Sequence, residues 1–253
     1  MTKPLILISN DDGIQAPGIH RLTEVAAEFA DVIVCAPDSA QSGKSSALTV
    51  NSPLRIQEHE SFCGARMYSS NGTPTDCVKL ALHALVPRKP NMMLSGINHG
   101  SNSGNSVVYS GTMGAAFEAC MAGIPSIGFS LLHHSLKADF THTIPYITDM
   151  IAKALANPLP EGVTLNVNFP AKVAIEGIKT VREARSRWAE EYQEFTDPHG
   201  GKFYWLTGRQ LNLEPDADDT DLYWLSRNYA TIVPCLANRT AADHVSSLRA
   251  IFG

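Results

Sequence analysis

The stretch Pro4-Leu5-Ile6-Leu7-Ile8-Ser9-Asn10-Asp11-Asp12-Gly13 constrains this chain most. Five apolar or β-favouring residues run without a break and stop at Asn-Asp-Asp-Gly. A short, continuously apolar run bounded by turn residues reads as a strand buried on both faces, as in a parallel sheet. The polar cluster then lies at the strand's carboxyl end, the edge where open α/β sheets bind ligands. Two adjacent carboxylates there repel each other unless a cation stands between them, and hard divalent cations take oxygen ligands. Asn, Asp and Gly also dominate ordinary turns for conformational reasons. This stretch alone does not choose between a turn and a metal site.

The same pattern recurs down the chain. Leu22, Val25, Ala26 and Phe29 fall at helical spacing within residues 16–29, and residues 31–36 form a second apolar run ending at Pro37-Asp38. Strand, helix, strand over about thirty residues is a βαβ unit. Residues 49–56 and 66–69 are expected to pair as a small antiparallel excursion. Thr73 as N-cap and Pro74 at the first helical position start a helix that runs to about Leu85. Residues 91–94, 123–130 and 165–170 read as further buried strands. Helices are expected over about 113–122 and over 141–156, where Ile144, Ile147, Ile151 and Leu155 share a face. This alternation predicts an α/β fold with a Rossmann-like, doubly wound, mostly parallel sheet. No G-x-G-x-x-G follows the first strand, which counts against a dinucleotide site.

The character changes after Ile175. Strand patterns at 177–182 and 203–208 flank residues 185–195 and the turn Asp197-Pro198-His199-Gly200-Gly201, which predicts a protruding β-hairpin arm. The run 214–221 is acidic and is expected to be a solvated loop. A short helix over 221–228, a closing strand over 230–234 and a terminal helix over 240–251 complete the chain. The expected organisation is an α/β catalytic core, 1–175, and a C-terminal extension, 176–253, within one domain overall. The arm and terminal helix are expected to serve oligomerisation, as a homodimer or homotetramer.

Charge excludes one class of partner. The net charge is −5 and no basic block exceeds a couple of residues, so a nucleic-acid polymer is not expected. A small phosphorylated ligand needs only local donors or a metal. The five cysteines are odd in number and include no Cys-x-x-Cys pair. The Met-Thr-Lys-Pro start lacks an apolar signal segment, and no apolar run approaches membrane length. Reduced thiols, a cytoplasmic location and no membrane association are the expectation.

Two later stretches carry chemistry. Residues 37–48 are small and polar; Gly43-Lys44-Ser45 looks like part of a Walker loop, but the upstream glycine is Asp38. Residues 95–105 hold three glycines, three asparagines and three serines, a composition able to fold around a small polar ligand. Tyr109-Ser110-Gly111-Thr112 then opens a helix, which places amides and hydroxyls where phosphate binds. Plain capping by Ser110 or Thr112 accounts for the same residues. The histidines are scattered, which argues against a histidine metal cluster. Only His99 lies in a candidate loop.

Taken in order, these motifs exceed their parts. Ser9-Asn10-Asp11-Asp12-Gly13, Ala36-Pro37-Asp38 with Gln41-Ser42-Gly43, Gly72-Thr73-Pro74-x-Asp76-Cys77-Val78, Ser95-Gly96-Ile97-Asn98-x-Gly100-x-Asn102 and Tyr109-Ser110-Gly111-Thr112 succeed one another. With Asn166-Val167-Asn168-Phe169-Pro170, Thr196-Asp197-Pro198-x-Gly200-Gly201 and Thr220-Asp221, the chain resembles the SurE family of survival-protein 5′/3′-nucleotidases over nearly its whole length. The resemblance implies a metal-dependent phosphatase of nucleoside monophosphates with one divalent ion per subunit, Mg²⁺ or Mn²⁺. It implies Asp11, Asp12, Ser42 and Asn98 as metal ligands, with Asp11 and Asp12 also catalytic. It implies Asn10, Gly43, Asn98, Asn102, Ser110, Gly111 and Thr112 around the substrate. One departure stands out. Family members often carry an acidic residue where this chain has Asn105-Ser106.

Three rival readings differ in class. An aspartyl-phosphate phosphatase would use Asp11 as nucleophile, but such enzymes place the second Asp two positions on, and here it is adjacent. A non-catalytic phosphate sensor need not keep two carboxylates. A purely structural oligomer leaves residues 98–112 unexplained.

Overall fold

The computed structural model describes residues 3–135, 137–171 and 174–253. In chain order the elements are β1 (Leu5–Ser9), α1 (Pro17–Ala27), β2 (Asp31–Pro37), β3 (Ile56–Phe62), β4 (Ala65–Ser70), α2 (Pro74–Leu80), β5 (Met92–His99), α3 (Gly111–Met121), β6 (Ser126–Leu131), α4 (Ile144–Ala156) and β7 (Val163–Phe169). Then follow β8 (Ile178–Thr180), β9 (Ser186–Ala189), β10 (Tyr192–Thr196), β11 (Lys202–Leu206), β12 (Arg209–Asn212), α5 (Asp221–Leu225), β13 (Ala230–Leu236) and α6 (Val245–Phe252).

Nine strands make one sheet in the order β3-β4-β2-β1-β5-β6-β7-β13-β8. From β4 to β7 every neighbouring pair is parallel. β3 lies antiparallel on one edge, and β13 lies antiparallel to β7 near the other. β1 explains why the sheet is double-wound. All five of its residues are buried. Ile6 and Ile8 pack with Ile19 and Leu22 of α1 and Ile147 and Ile151 of α4. Leu5 and Leu7 face the other way, onto Cys77 and Val78 of α2 and Ala115 and Ala119 of α3. Alternate side chains feed two cores, and each buried Leu or Ile contributes roughly 1.5–3 kcal/mol.

The winding also makes a crevice. From β1 the chain moves outward to β2 and β4, then returns to β5 on the other side of β1 and continues to β6 and β7. The order therefore reverses between β1 and β5. Loops leaving their carboxyl ends diverge there, and ligands bind in such a gap.

Several elements differ from expectation for physical reasons. The antiparallel partner of β4 is β3, which starts where the expected strand ended. A turn with Cys63 and Gly64 both at positive φ, 51° and 79°, closes that hairpin. β3 is mostly exposed, so its polar sequence hides it. β5 runs on through Ser95-Gly96-Ile97-Asn98-His99, because Ile97 is fully buried. α3 starts at Gly111, two residues before the expected start. The acidic run is not all solvated. Glu214 and Asp219 pair with Arg182, and Asp221 is fully buried, accepting from the amides of Gly104, Ala184 and Leu222.

The arm is a two-part ribbon. β9 pairs with β12 at its base and β10 with β11 toward its tip, both antiparallel. The cysteines are free thiols, and among the described residues no helix is long and apolar enough to cross a membrane.

α2 carries a testable cap. Thr73 Oγ1 accepts from the Asp76 amide at 3.1 Å while Asp76 accepts from the Thr73 amide at 2.9 Å. Thr73 Oγ1 also donates to the Ala47 carbonyl at 2.7 Å. Thr73→Ala is expected to cost about 1–2 kcal/mol in urea unfolding. An unchanged midpoint would show that the cap contributes nothing.

Candidate active site

At the end of β1 the turn is closed by Asn10. Its Oδ1 accepts from the Gly13 amide at 3.1 Å and its Nδ2 donates to the Gly13 carbonyl at 2.9 Å. Both polar ends of the Asn10 side chain are thus committed to the turn, and they fix the direction in which Asp11 and Asp12 leave it.

Asp11 points at the amino end of α3. It is only 4% exposed, and its Oδ1 accepts from Thr112 Oγ1 at 2.5 Å. Gly111 allows this approach. A Cβ there would lie 2.8 Å from Asp11 Cβ and 3.1 Å from Oδ2. Burial, then the charge of Asp12, push the Asp11 carboxyl up to about 6, against the lowering effect of the Thr112 hydrogen bond.

Asp12 is held from β5. Its Oδ2 accepts from the His99 amide at 3.0 Å and from His99 Nδ1 at 3.0 Å, which assigns the ring proton to Nδ1. The ring meets Phe140 edge-on at 5.1 Å. Asn98, one residue earlier, donates through Nδ2 to the Gly100 carbonyl at 2.9 Å, so its free end is the oxygen.

The loop after β2 crosses the same edge. The Gln41 amide donates to the Asp11 carbonyl at 2.7 Å, and the Ser45 amide to the Tyr109 carbonyl at 3.1 Å. Ser45 Oγ donates to the Val108 carbonyl at 2.7 Å. Gly114 lets this loop settle on α3, since a Cβ there would run into the Ser45 carbonyl. Ser42 and Gly43, both exposed, span the gap between these anchors.

Ser110 caps α3, accepting from the Met113 amide at 3.0 Å. The helix's first amides have no acceptor within the helix, and this end of α3 abuts Asp11. Asn102 is elsewhere on the edge. Its Nδ2 donates to Ser130 Oγ at 2.7 Å, its amide donates to Asn168 Oδ1 at 2.9 Å, and its carbonyl accepts from Asn166 Nδ2 at 2.8 Å. It ties the loop to β6 and β7.

The structure therefore joins Asp11, Asp12, Asn98, Gly111 and Thr112 around the β1–β5 crevice, with Ser42, Gly43 and Ser110 on its rim. Among the described residues no three His, Cys, Asp or Glu side chains converge. A cation here would need neutral oxygens beside the two carboxylates, and Asn98 Oδ1 and the Ser42 hydroxyl are of that kind. The mutual crowding of Asp11 and Asp12 is what a divalent cation relieves. The bond from His99 to Asp12 leaves no signal in the sequence beyond the place of His99 in the loop.

The profile described as Survival protein SurE matches residues 6–190. The chain belongs to the SurE family. The matched span contains every candidate residue. SurE relatives named 5′-nucleotidase SurE include those of Cytophaga hutchinsonii, 47% identical over 98% of this chain and 96% of that protein, and of Christiangramia forsetii, 48% identical over 97% and 96%. The crystal structure of the SurE protein from Aquifex aeolicus superposes with a TM-score of 0.84 at 32% identity, covering 99% of this chain and all of that one. The likeness to that SurE fold thus includes the arm and the C-terminal elements.

Proposed function

We propose that the protein is a metal-dependent 5′-nucleotidase that hydrolyses nucleoside 5′-monophosphates to nucleoside and phosphate, with 3′-monophosphates as a second substrate class. The observation that carries this is the direct contact between Asp11, with Asp12 beside it in the chain, and the amino end of α3, at the sheet's switch point. One part suits a cation and the other suits a phosphate. The SurE relatives that bear the name 5′-nucleotidase support the same activity.

Asp11, Asp12, Ser42 and Asn98 are the residues proposed to hold one Mg²⁺ or Mn²⁺ per subunit. Such an ion, when bound, supplies positive charge to the phosphoryl group and acidifies water. Asp11 or Asp12 orients the attacking water and takes its proton. The amides of Gly111 and Thr112, with Gly43 on the facing loop, hold phosphoryl oxygens as fixed donors. Thr112 Oγ1 and His99 act on Asp11 and Asp12 and set their orientation. Asn10 and Asn102 serve through the backbone they fix. Water attacks phosphorus directly, so no phosphoenzyme forms. Trapping a phosphorylated Asp11 would favour the aspartyl-phosphate route instead.

Exposed apolar residues on the arm, Tyr192, Trp205 and Leu206, and on α6, Leu248, Ile251 and Phe252, support a homodimer or homotetramer. Light scattering tests this. The free thiols fit the proposed cytoplasmic location.

The deciding experiment is phosphate release from 5′- and 3′-monophosphates, in EDTA and with Mg²⁺ or Mn²⁺ restored. Activity that returns with the metal and disappears in Asp12→Asn is expected. Nucleotide binding without release would point to the sensor.

A further inference from the structure

The loop between β5 and α3 is gripped from outside the crevice, by the base of the arm. Gln210 on β12 has its Nε2 at 2.8 Å from the Ser103 carbonyl, 3.2 Å from Asn105 Oδ1 and 3.2 Å from Ser186 Oγ. Ser186 on β9 accepts from the Asn105 amide at 2.9 Å and donates to Asn105 Oδ1 at 3.0 Å. Asp221, at the start of α5, accepts from the Gly104 amide at 2.8 Å. Gly104 has φ +51°, and a Cβ on it would lie 2.5 Å from Ser186 Oγ and 2.8 Å from Gln210 Nε2. Three elements of the extension therefore close over one turn.

That turn stands between two fixed points. On one side Asn102 is bonded to Ser130, Asn166 and Asn168. On the other, a short 3₁₀ turn (Gly104–Val108) leads to the Ser110 cap of α3. A glycine-rich segment loses much conformational freedom when ordered. β6 and β7 order this one up to Asn102, and the arm base with Asp221 supplies the bonds at 103–105. It also accounts for Asn105: its amide and Oδ1 belong to this clamp, where a neutral side chain accepts from both Ser186 and Gln210.

We propose that Gln210 is a positioning residue, holding the turn at 103–105 so that the stretch leading to Gly111 and Thr112 keeps its phosphate-binding geometry and the seating of the arm governs substrate binding. The proposal rests on the nucleotidase reading, and its test separates the two. Gln210→Glu keeps the side chain's shape but replaces the donor group by an oxygen facing the Ser103 carbonyl and Asn105 Oδ1. KM for a 5′-monophosphate and the inhibition constant of inorganic phosphate are expected to rise together, by about 10- to 100-fold. The Mg²⁺ concentration for half-activation is expected to shift less than either, because Asp11 and Asp12 follow β1 and Asn98 lies on β5, and of the proposed ligands only Ser42 sits on a loop anchored beside the turn, on Val108 and Tyr109. Amide exchange in a peptide spanning 100–110 is expected to quicken. Ser186→Ala, which removes one partner of the clamp, is expected to shift the same readouts less.

A variant with unchanged KM and phosphate inhibition, or one that only melts earlier, would overturn the proposal, since Gln210 would then brace the arm alone. If wild-type protein releases no phosphate, the nucleotidase reading fails. The exchange measurement still decides whether the arm base orders the loop, and unchanged exchange overturns it. Should Gln210→Glu not fold, Ser186→Ala with both readouts unmoved does the same.

Discussion

Asp11→Asn is expected to cut phosphate release by about 10²–10⁴-fold and, in EDTA at pH 8, to make the protein melt higher than wild type. The two effects have one cause. Asp11 is nearly buried, beside Asp12, and its carboxyl is pushed up from 3.8 to about 6. A raised folded value means that the folded chain holds the proton more tightly than the unfolded chain. The resulting stabilisation is complete below about pH 4 and is lost as pH rises through about 6. Above that, the ionised group costs up to about 3 kcal/mol, taking about 1.4 kcal/mol per pKa unit. Asn is neutral at every pH and still accepts from Thr112, so it avoids the cost. A chain of this size gains roughly 2–4 °C per kcal/mol, so the melting gap is expected to reach about 6–12 °C at pH 8 and to close below pH 4. Adding Mg²⁺ is expected to narrow or invert the order, because wild type gains more from the ion it binds better. Scanning calorimetry at both pH values, beside a phosphate-release assay, checks all of this. Equal melting in EDTA at pH 8 would mean that Asp11 carries no burial cost. Wild-type turnover in the variant would remove it from the chemistry.

What could be read from the sequence follows burial. β1, β2, β6 and β7 were legible because both faces are covered, and apolar runs mark such strands. β3 was not, because an exposed edge strand such as Gln57-Glu58-His59-Glu60 reads as polar loop. β5 is longer than its apolar run, because Ser95, Gly96, Asn98 and His99 have loop composition although Ile97 is buried and the ladder resumes after an irregularity. The metal and phosphate candidates were legible through turn chemistry and family resemblance. The groups that fix them were not. His99 meets Asp12 across 87 positions of chain, and Asp221 reaches Gly104 across 117. Pairings of that range leave no local periodicity. Asp221 misled in particular: in sequence it closes an acidic run, whereas in the fold three amides satisfy it inside the core.

The second large effect is expected at a residue with no functional group. Gly111→Ala is expected to lower kcat/KM by about a hundredfold, with the chain still folded. The backbone itself does not require glycine here. Gly111 is the first residue of α3 and lacks a positive φ, and alanine is the better helix former. The problem is space. The new methyl would stand 2.8 Å from Asp11 Cβ, well inside the 3.5–4.0 Å or so of an ordinary carbon contact. The helix is poorly placed to retreat. Ser110 caps it, Gly114 rests against the Ser45 carbonyl, and Met113, Ala115 and Ala116 are fully buried. Asp11 therefore yields, and its bond to Thr112 goes with it. Gly114→Ala serves as the contrast, since its methyl displaces the loop that carries Ser42 and leaves Asp11 in place. The first variant is expected to lose turnover at every Mg²⁺ concentration. The second is expected to need more Mg²⁺ for half-activation and to recover much of its turnover when it is supplied. Wild-type turnover in Gly111→Ala would show that catalysis does not depend on the close approach of the carboxylate to the helix end, and the two halves of the crevice would have to be regarded as separate sites.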